Sequence, residues 1–393
     1  MGLVCLPAAA RVLTGIEVLR ADSFNLLQGK RVGLVTNATG VDAALRLTAD
    51  ILYEAPGVQL TALFAPEHGI RGNVEAGGAV NSTTDPLTGL PVYSLYGKTR
   101  QPTAAMLEGL DVLVYDIQDI GCRSYTFIST LYLVMQEAAA HDIEVVVLDR
   151  PNPLGGEKVE GSLVDGDCRS FVSQCDIPYI YGLTVGELAL YLNASLGCRL
   201  QVVPMQGWKR SMLFADTGLP WVPTSPHIPH AETALYYPAT GILGELSALS
   251  IGVGYTLPFQ TVAAPWIDAD SLAAKMNALQ LAGIVFRPIH YKPYYALYAG
   301  QAVHGVELHI TDYPSVCLTE VQFQLFNALQ ELYPARIFWQ EVTPAQWSMF
   351  DKVTGSKRYK SWLVYGPLDD LLTAWRRDAD AFCEKSAFVH LYE

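Results

Sequence analysis

Four short, continuously apolar runs in the first 150 residues constrain this chain most: RVGLVT at 31–36, QLTALF at 59–64, DVLVY at 111–115 and EVVVL at 144–148. Their β-branched, uninterrupted character is that of parallel strands covered on both faces. Leu and Ala at helical spacing predict helices over 43–54 and 129–141, between the strands. Strand–helix–strand alternation implies an α/β domain with an open, mostly parallel sheet and right-handed crossovers. Each run ends in polar or turn-forming residues: Thr36-Asn37, Pro66-Glu67-His68-Gly69, Asp116 with Gln118-Asp119, and Asp149-Arg150-Pro151-Asn152. Ligands of open α/β sheets bind outside the carboxyl ends of the strands, so four polar clusters at one edge mark an expected active site.

Further along, Thr184 with Glu187 three positions on forms a capping box that opens a helix over 184–196. A loop rich in proline and aromatics is expected over 208–238, with the domain boundary near its end, giving domains 1–232 and 233–393. The second domain reads as smaller and α+β, with a strand at 303–310 and helices at 318–332 and 368–382. No internal repeat or low-complexity tract is visible.

Composition narrows the function. A net charge of −13 lacks the basic face that a nucleic-acid partner needs. No apolar run is long enough to span a bilayer, so an integral membrane protein is not expected. Residues 1–10 are apolar and end in Ala8-Ala9-Ala10 before Arg11, like the tail of a secretory signal, but without its basic start. A trimmed signal and a loose terminus are both open. The seven cysteines contain no C-x-x-C pair; buried free thiols are expected, with a Cys168–Cys175 bridge as the alternative in an oxidising compartment. The loop after the first strand, TNATGVDAA, has neither a dinucleotide nor a P-loop fingerprint, and no G-x-S-x-G elbow occurs.

Carboxylates remain. Glu67, Glu75, Asp116 and Asp119 can approach one cleft, as a glycosidase requires: one acid held protonated, usually with a second carboxylate. Partial burial after a strand would raise the Glu67 pKa and suit it to the acid role. A capping glutamate in a surface turn is the plainer reading. His68 can equally bond its own loop, Asp116 and Asp119 can cap a helix or pair with Arg123, and Asp149 can pair with Arg150. His227 and His230 lie in a proline-rich loop without metal-ligand spacing, so no metal and no cofactor are expected. The tyrosines of 291–298 can stack on a sugar or pack as core.

Eight motifs stand in order: FAPEHGIRG (64–72), TGLPVYSLYG (88–97), DIQDIGCRSYTF (116–127), LDRPNPLGG (148–156), VEG (159–161), LTVGELA (183–189), WVPTSPHIP (221–229) and APW (264–266). Together they resemble the NamZ family of exo-β-N-acetylmuramidases over nearly the whole chain. The resemblance implies a Rossmann-like N-terminal domain, a smaller C-terminal domain and a cleft between them. It also implies release of N-acetylmuramic acid from the non-reducing end of muropeptide-derived chains, in the periplasm or outside the cell. Glu67, in the family's P-E-H-G motif, becomes the expected general acid, with Asp116 and Asp119 as further catalytic carboxylates. Expected substrate contacts are Asn37, His68, Arg71, Gln118 and Arg123, together with Tyr125, Arg150, Asn152 and His227.

The resemblance breaks at residues 244–259, GELSALSIGVGYTLPF, where the family pattern is E-G-T-N-x-S-E-G-R-G-T in a slightly shorter loop. Ile251 stands at the glutamate and Val253 at the arginine. Glu245 is the neighbouring carboxylate that could compensate. A milder departure is Tyr181, where many members carry histidine. Two other functions stay open: a non-catalytic muropeptide-binding protein, motivated by Ile251 and Val253, and a hydrolase using a metal on Asp116, Asp119 and a histidine.

Overall fold

A computed structural model describes residues 11–71 and 82–393 of the chain. Glu75 and the apolar start at 1–10 lie outside the described residues. The first half runs α1 (Gly15–Ala21), β1 (Arg31–Thr36), α2 (Thr48–Glu54), β2 (Gln59–Ala65), β3 (Thr83–Thr84), β4 (Pro91–Ser94), α3 (Ala104–Leu107), β5 (Val112–Asp116), α4 (Phe127–Ala140) and β6 (Glu144–Leu148). A small pair, β7 (Val159–Glu160) and β8 (Ile180–Tyr181), then precedes α5 (Val185–Leu196) and β9 (Leu200–Val203).

The main sheet has the order β3-β4-β2-β1-β5-β6-β9, parallel throughout except for β3. All four expected strands occupy its centre. Val32, Leu34, Val112, Val114, Val146 and Leu148 pack on one face, against Ile16, Leu19 and Leu52 from α1 and α2. On the other face Val35, Leu113, Tyr115, Val145 and Val147 meet Phe127, Leu131 and Val134 of α4 and Val185 of α5. Burial on both sides explains why these runs do not alternate. Residues 43–47 do not join α2 as expected. Asp42 accepts from the amides of Ala44 and Arg46, both at 2.9 Å, and this Asx-type bonding folds them into a turn instead.

The second half contains α6 (Ala231–Gly244), β10 (Thr261–Ala264), α7 (Ala269–Ala278), β11 (Ile284–Tyr291), β12 (Val303–Ile310), α8 (Leu318–Leu332), α9 (Pro344–Thr354), α10 (Arg358–Tyr365) and α11 (Leu368–Ser386). Its antiparallel sheet, β10-β12-β11, packs with α6, α7 and α8 around a single core. Two adjoining folds thus appear, a Rossmann-like parallel sheet and a smaller α+β unit. The expected boundary falls in the first turn of α6, and the expected loop through residue 238 ends early because α6 begins at Ala231 and contains Pro238. A buried side chain enters the ladder in the turn after Pro238: Gln322 of α8 donates to the Pro238 carbonyl at 2.7 Å and accepts from the Ile242 and Leu243 amides at 3.0 and 3.3 Å. Insertion into the i→i−4 ladder is an established way to accommodate a break. It fixes the end of α6, where Glu245 sits.

The last residues return to the first domain. Leu391 N donates to Glu187 at 2.9 Å and Arg210 N to the Glu393 carbonyl at 2.9 Å. No described helix is long and apolar enough to cross a membrane. The cysteines within the described residues are free thiols, Cys168 and Cys175 among the buried ones.

Candidate active site

The chain leaves β2 through Pro66 into a tight turn closed by Gly69 N donating to the Pro66 carbonyl at 3.1 Å. His68 adopts φ 71° in that turn, a left-handed conformation uncommon outside glycine. The turn aims Glu67 and His68 into a cavity of about 450 Å³ between the two domains. Glu67 is largely buried, and Thr126 Oγ1 donates to its Oε2. Thr126 is the N-cap of α4, so Glu67 lies at a helix end that favours negative charge. The Tyr96 hydroxyl also bonds Glu67; burial and then the Glu67 charge push that phenol up to about 12, which keeps it a donor.

The facing wall comes from the second domain. Glu245 follows the last residue of α6, at the end of a helix that disfavours negative charge. Burial pushes its carboxyl up to about 7. Beside it stand Leu249, Ser250, Ile251 and Val253, so the two aliphatic departures do face the cavity. Tyr125 and His227 also line it. Tyr125 donates to Thr224 Oγ1 at 2.8 Å and meets Phe127 edge-on, ring centres 5.0 Å apart. Burial, and then His68, lower the His227 pKa, so its imidazole is neutral at neutral pH and offers a donor and an acceptor.

The other expected site residues do not line this cavity, and most of their polar atoms are bonded within the protein, Asp119 Oδ1 being buried without a hydrogen-bond partner among the described residues. Asp116 is fully buried and chelated by Arg150, with Nε to Oδ1 at 2.5 Å and Nη2 to Oδ2 at 2.9 Å; Thr48 completes it. Arg150 therefore pairs with Asp116 and not with Asp149, which accepts instead from Thr184, Gly186 N and Tyr392. Asn37 accepts from Thr39 and shapes the turn after β1, while Gln118 donates to the Pro151 carbonyl at 2.7 Å. Asp119 accepts from Tyr181 Oη at 2.5 Å and Gly121 N at 2.8 Å, so neither Asp116 nor Asp119 reaches the cavity wall. Tyr181 thereby serves as a buried donor to Asp119 at the position where many family members carry histidine.

Arg123 pairs with no aspartate. Its guanidinium, 1% exposed, donates to the carbonyls of Ser162, Ile177 and Val353 and ties the domains together. Burial pushes its pKa down to about 10. Asn152 bonds Leu183 O and Leu154 N, both at 2.9 Å. Arg71 pairs with buried Asp85 at 2.7 Å. Among the described residues no three His, Cys, Asp or Glu side chains gather as a metal site, and the two aspartates of the metal-hydrolase alternative are engaged as above.

Tyr96, Thr126 and Tyr237, absent from the expected set, do line the cavity. The first two stood inside the quoted motifs; nothing in the sequence separated them from their neighbours.

A cavity with one carboxylate from each domain, lined otherwise by hydroxyls, imidazoles, aromatic rings and aliphatic chains, contains no Lys or Arg among its described lining residues. That lining defines a class: a carboxylate-dependent enzyme for an uncharged or weakly charged, hydroxyl-rich substrate. Comparison with known proteins specifies it. Residues 32–232 match the N-terminal domain model, and residues 235–392 the C-terminal domain model, of the exo-β-N-acetylmuramidase NamZ. The chain belongs to that family. It is 40% identical over 375 residues to the peptidoglycan β-N-acetylmuramidase NamZ of Bacillus subtilis strain 168, covering 95% of this chain and 89% of that protein. Two crystal structures of DUF1343 family proteins from Bacteroides fragilis are similar. One has TM-score 0.94 at 51% identity, with 98% of this chain and 100% of that one covered; the other has TM-score 0.78 at 28% identity, with 98% and 99% covered.

Proposed function

We propose that this protein is an exo-acting glycosidase that releases β-linked N-acetylmuramic acid from the non-reducing end of peptidoglycan fragments. The observation that carries the mechanism is that Glu67 and Glu245 line one cavity from opposite domains in opposite electrostatic settings. The carboxyl whose proton is held by burial takes the acid role. Glu245, pushed up to about 7, keeps its proton up to near neutral pH and donates it to the departing glycosidic oxygen. Glu67, at the N-terminal end of α4 and held by two hydroxyl donors, supplies the negative charge that stabilises the cationic sugar ring. This division differs from the expectation that Glu67 is the acid. His68 and neutral His227 are the substrate's hydrogen-bonding partners.

The walls also bear on substrate form. N-acetylmuramic acid carries a lactyl carboxylate, and no Lys or Arg stands among the described lining residues to meet it. Aliphatic Ile251 and Val253 favour the muropeptide form, in which that carboxyl is amide-linked to peptide and neutral. A place in cell-wall recycling, in the periplasm or outside the cell, fits the substrate. Cell fractionation that finds the protein confined to the cytosol would remove the compartment and leave the chemistry.

Mass spectrometry of digests of defined peptidoglycan oligosaccharides tests the function. The expected product is a single free or peptidyl N-acetylmuramic acid from each chain that begins with that sugar, leaving the chain shortened by that one residue. Internal fragments without monosaccharide would contradict the exo reading. The aliphatic wall motivates a second reading, a muropeptide-binding protein without turnover; calorimetric binding with no product after prolonged incubation would establish it.

A further inference from the structure

Residues 291–298 carry four tyrosines, and they divide into two pairs. Tyr291 and Tyr298 are anchors. The Tyr291 hydroxyl is shared with Ser250 and Thr261 at 2.8 and 2.9 Å, and Tyr298 donates to the Ala248 carbonyl at 2.9 Å. Tyr294 and Tyr295 point outward, 75% and 52% exposed. Their surroundings are organised. Tyr255 stacks on Tyr291, ring centres 4.4 Å apart, and lies at 25° to Tyr294 at 6.2 Å. Tyr295 lies over His227 at 6.1 Å and 23°. The two residues that follow, Ala296 and Leu297, line the Glu67–Glu245 cavity, as does His227. Tyr295 therefore stands beside its mouth, with Tyr294 next to it in the chain.

The backbone beneath them is held. Tyr294 N donates to the Gly254 carbonyl at 2.7 Å, and a Cβ on Gly254 would meet the Tyr295 carbonyl oxygen at 2.0 Å, so only glycine permits this approach. Ala296 and Tyr298 take φ 62° and 61°, strained for side chains with a Cβ. Large rings left in water on a rigid, strained segment next to a cavity are a surface made for contact.

We infer that Tyr294 and Tyr295 form a stacking platform for the amino-sugar ring on the leaving-group side of the scissile bond. The inference rests on the glycosidase reading above, in which the terminal sugar fills the enclosed cavity and the rest of the chain leaves through its mouth. A pyranose offers an apolar C–H face to a tyrosine ring, and the phenol edge meets its hydroxyls. The ligand class is a β-1,4-linked amino-sugar oligomer, and the platform gives the enzyme its preference for oligomers over glycosides with a minimal leaving group.

The test compares the full chain with its Tyr294→Ala/Tyr295→Ala variant on two substrates: N-acetylmuramyl-N-acetylglucosamine and N-acetylmuramyl fluoride, whose leaving group has no ring. The kcat/KM ratio of disaccharide to fluoride is expected to fall about five- to tenfold in the variant, mainly through KM, and to recover in Tyr294→Phe/Tyr295→Phe. An unchanged ratio overturns the platform while leaving the glycosidase reading intact. If the wild-type chain hydrolyses neither substrate, with or without peptide on the lactyl group, the glycosidase reading fails. The platform is then decided by calorimetric titration of the disaccharide into Glu67→Gln with and without the two alanines. About five- to tenfold weaker binding supports it, and equal binding overturns it.

Discussion

At the switch point between β1 and β5, Asn37, Asp116, Gln118 and Arg150 form a buried cluster whose hydrogen-bonding groups face one another or the backbone. Beside it, at the end of β2, Glu67 faces a cavity that it shares with Glu245. Both places are polar and both lie at the carboxyl edge of one sheet. The first spends its charge internally, since a chelated aspartate and its arginine have little left for a ligand. The second keeps two carboxylates in contact with open space and in opposite helix-end environments. In a sheet of this type the switch-point crevice is the default ligand site; here its polar groups bond one another, and the larger cavity lies to one side, at the end of β2. Polarity alone does not distinguish the two regions, but the saturation of the polar atoms does.

Substitutions break the contrast in opposite ways. Glu67→Gln should lower kcat/KM on a chromogenic muramic acid glycoside by about 10³-fold or more, with a melting curve close to that of the parent. A variant that kept its turnover would remove Glu67 from the chemistry. Asp116→Asn should do the reverse. Leaving Arg150 buried without its partner should cost about 3–5 kcal/mol in denaturant unfolding, while the folded fraction keeps kcat/KM near the parent value. A large loss of kcat in well-folded Asp116→Asn protein would return the switch point to the active site.

Glu245→Gln sharpens the comparison through stability. A carboxyl raised from 4.5 to about 7 in the folded protein imposes no penalty below about pH 4.5, where it is protonated folded and unfolded. Between those values the unfolded chain ionises first, so stability falls with rising pH, and the penalty is complete above about 7. Removing the charge should stabilise the protein by about 1–2 kcal/mol near pH 8 and leave it unchanged near pH 4, a discounted figure because the carboxyl borders a cavity. Equal effects at both pH values would argue against a raised carboxyl. The smallest expected change is Tyr392→Phe, which removes one donor to buried Asp149 and should cost about 1 kcal/mol in Tm-derived stability without altering kcat.

The sheet was legible because buried parallel strands are written as unbroken β-branched runs, and 31–36 and 144–148 coincide with β1 and β6. Short or alternating strands such as β4, β9 and β11 carry weaker patterns, and α6 was hidden by Pro238; the helix turn after it is held by Gln322 from distant sequence. Glu67, His68, Tyr125 and His227, singled out from motif and position, do line the cavity. Asp116, Asp119, Arg123 and Arg150 were not separable from them, because the sequence displays a polar side chain but not whether something already bonds it. Glu245 was visible only as a neighbour of the departure at Ile251 and Val253. Its role depends on where the end of α6 points and on what buries it, and both are tertiary facts.

The pH dependence of kcat/KM for the parent and for Glu245→Gln tests the central claim most directly. The parent should lose activity as pH rises through about 7, where Glu245 gives up the proton it must donate. The variant should be about 10²–10³-fold slower and should lack that alkaline limb. An alkaline limb that persists unchanged in Glu245→Gln, at near-parental rates, would contradict the account and place the acid elsewhere.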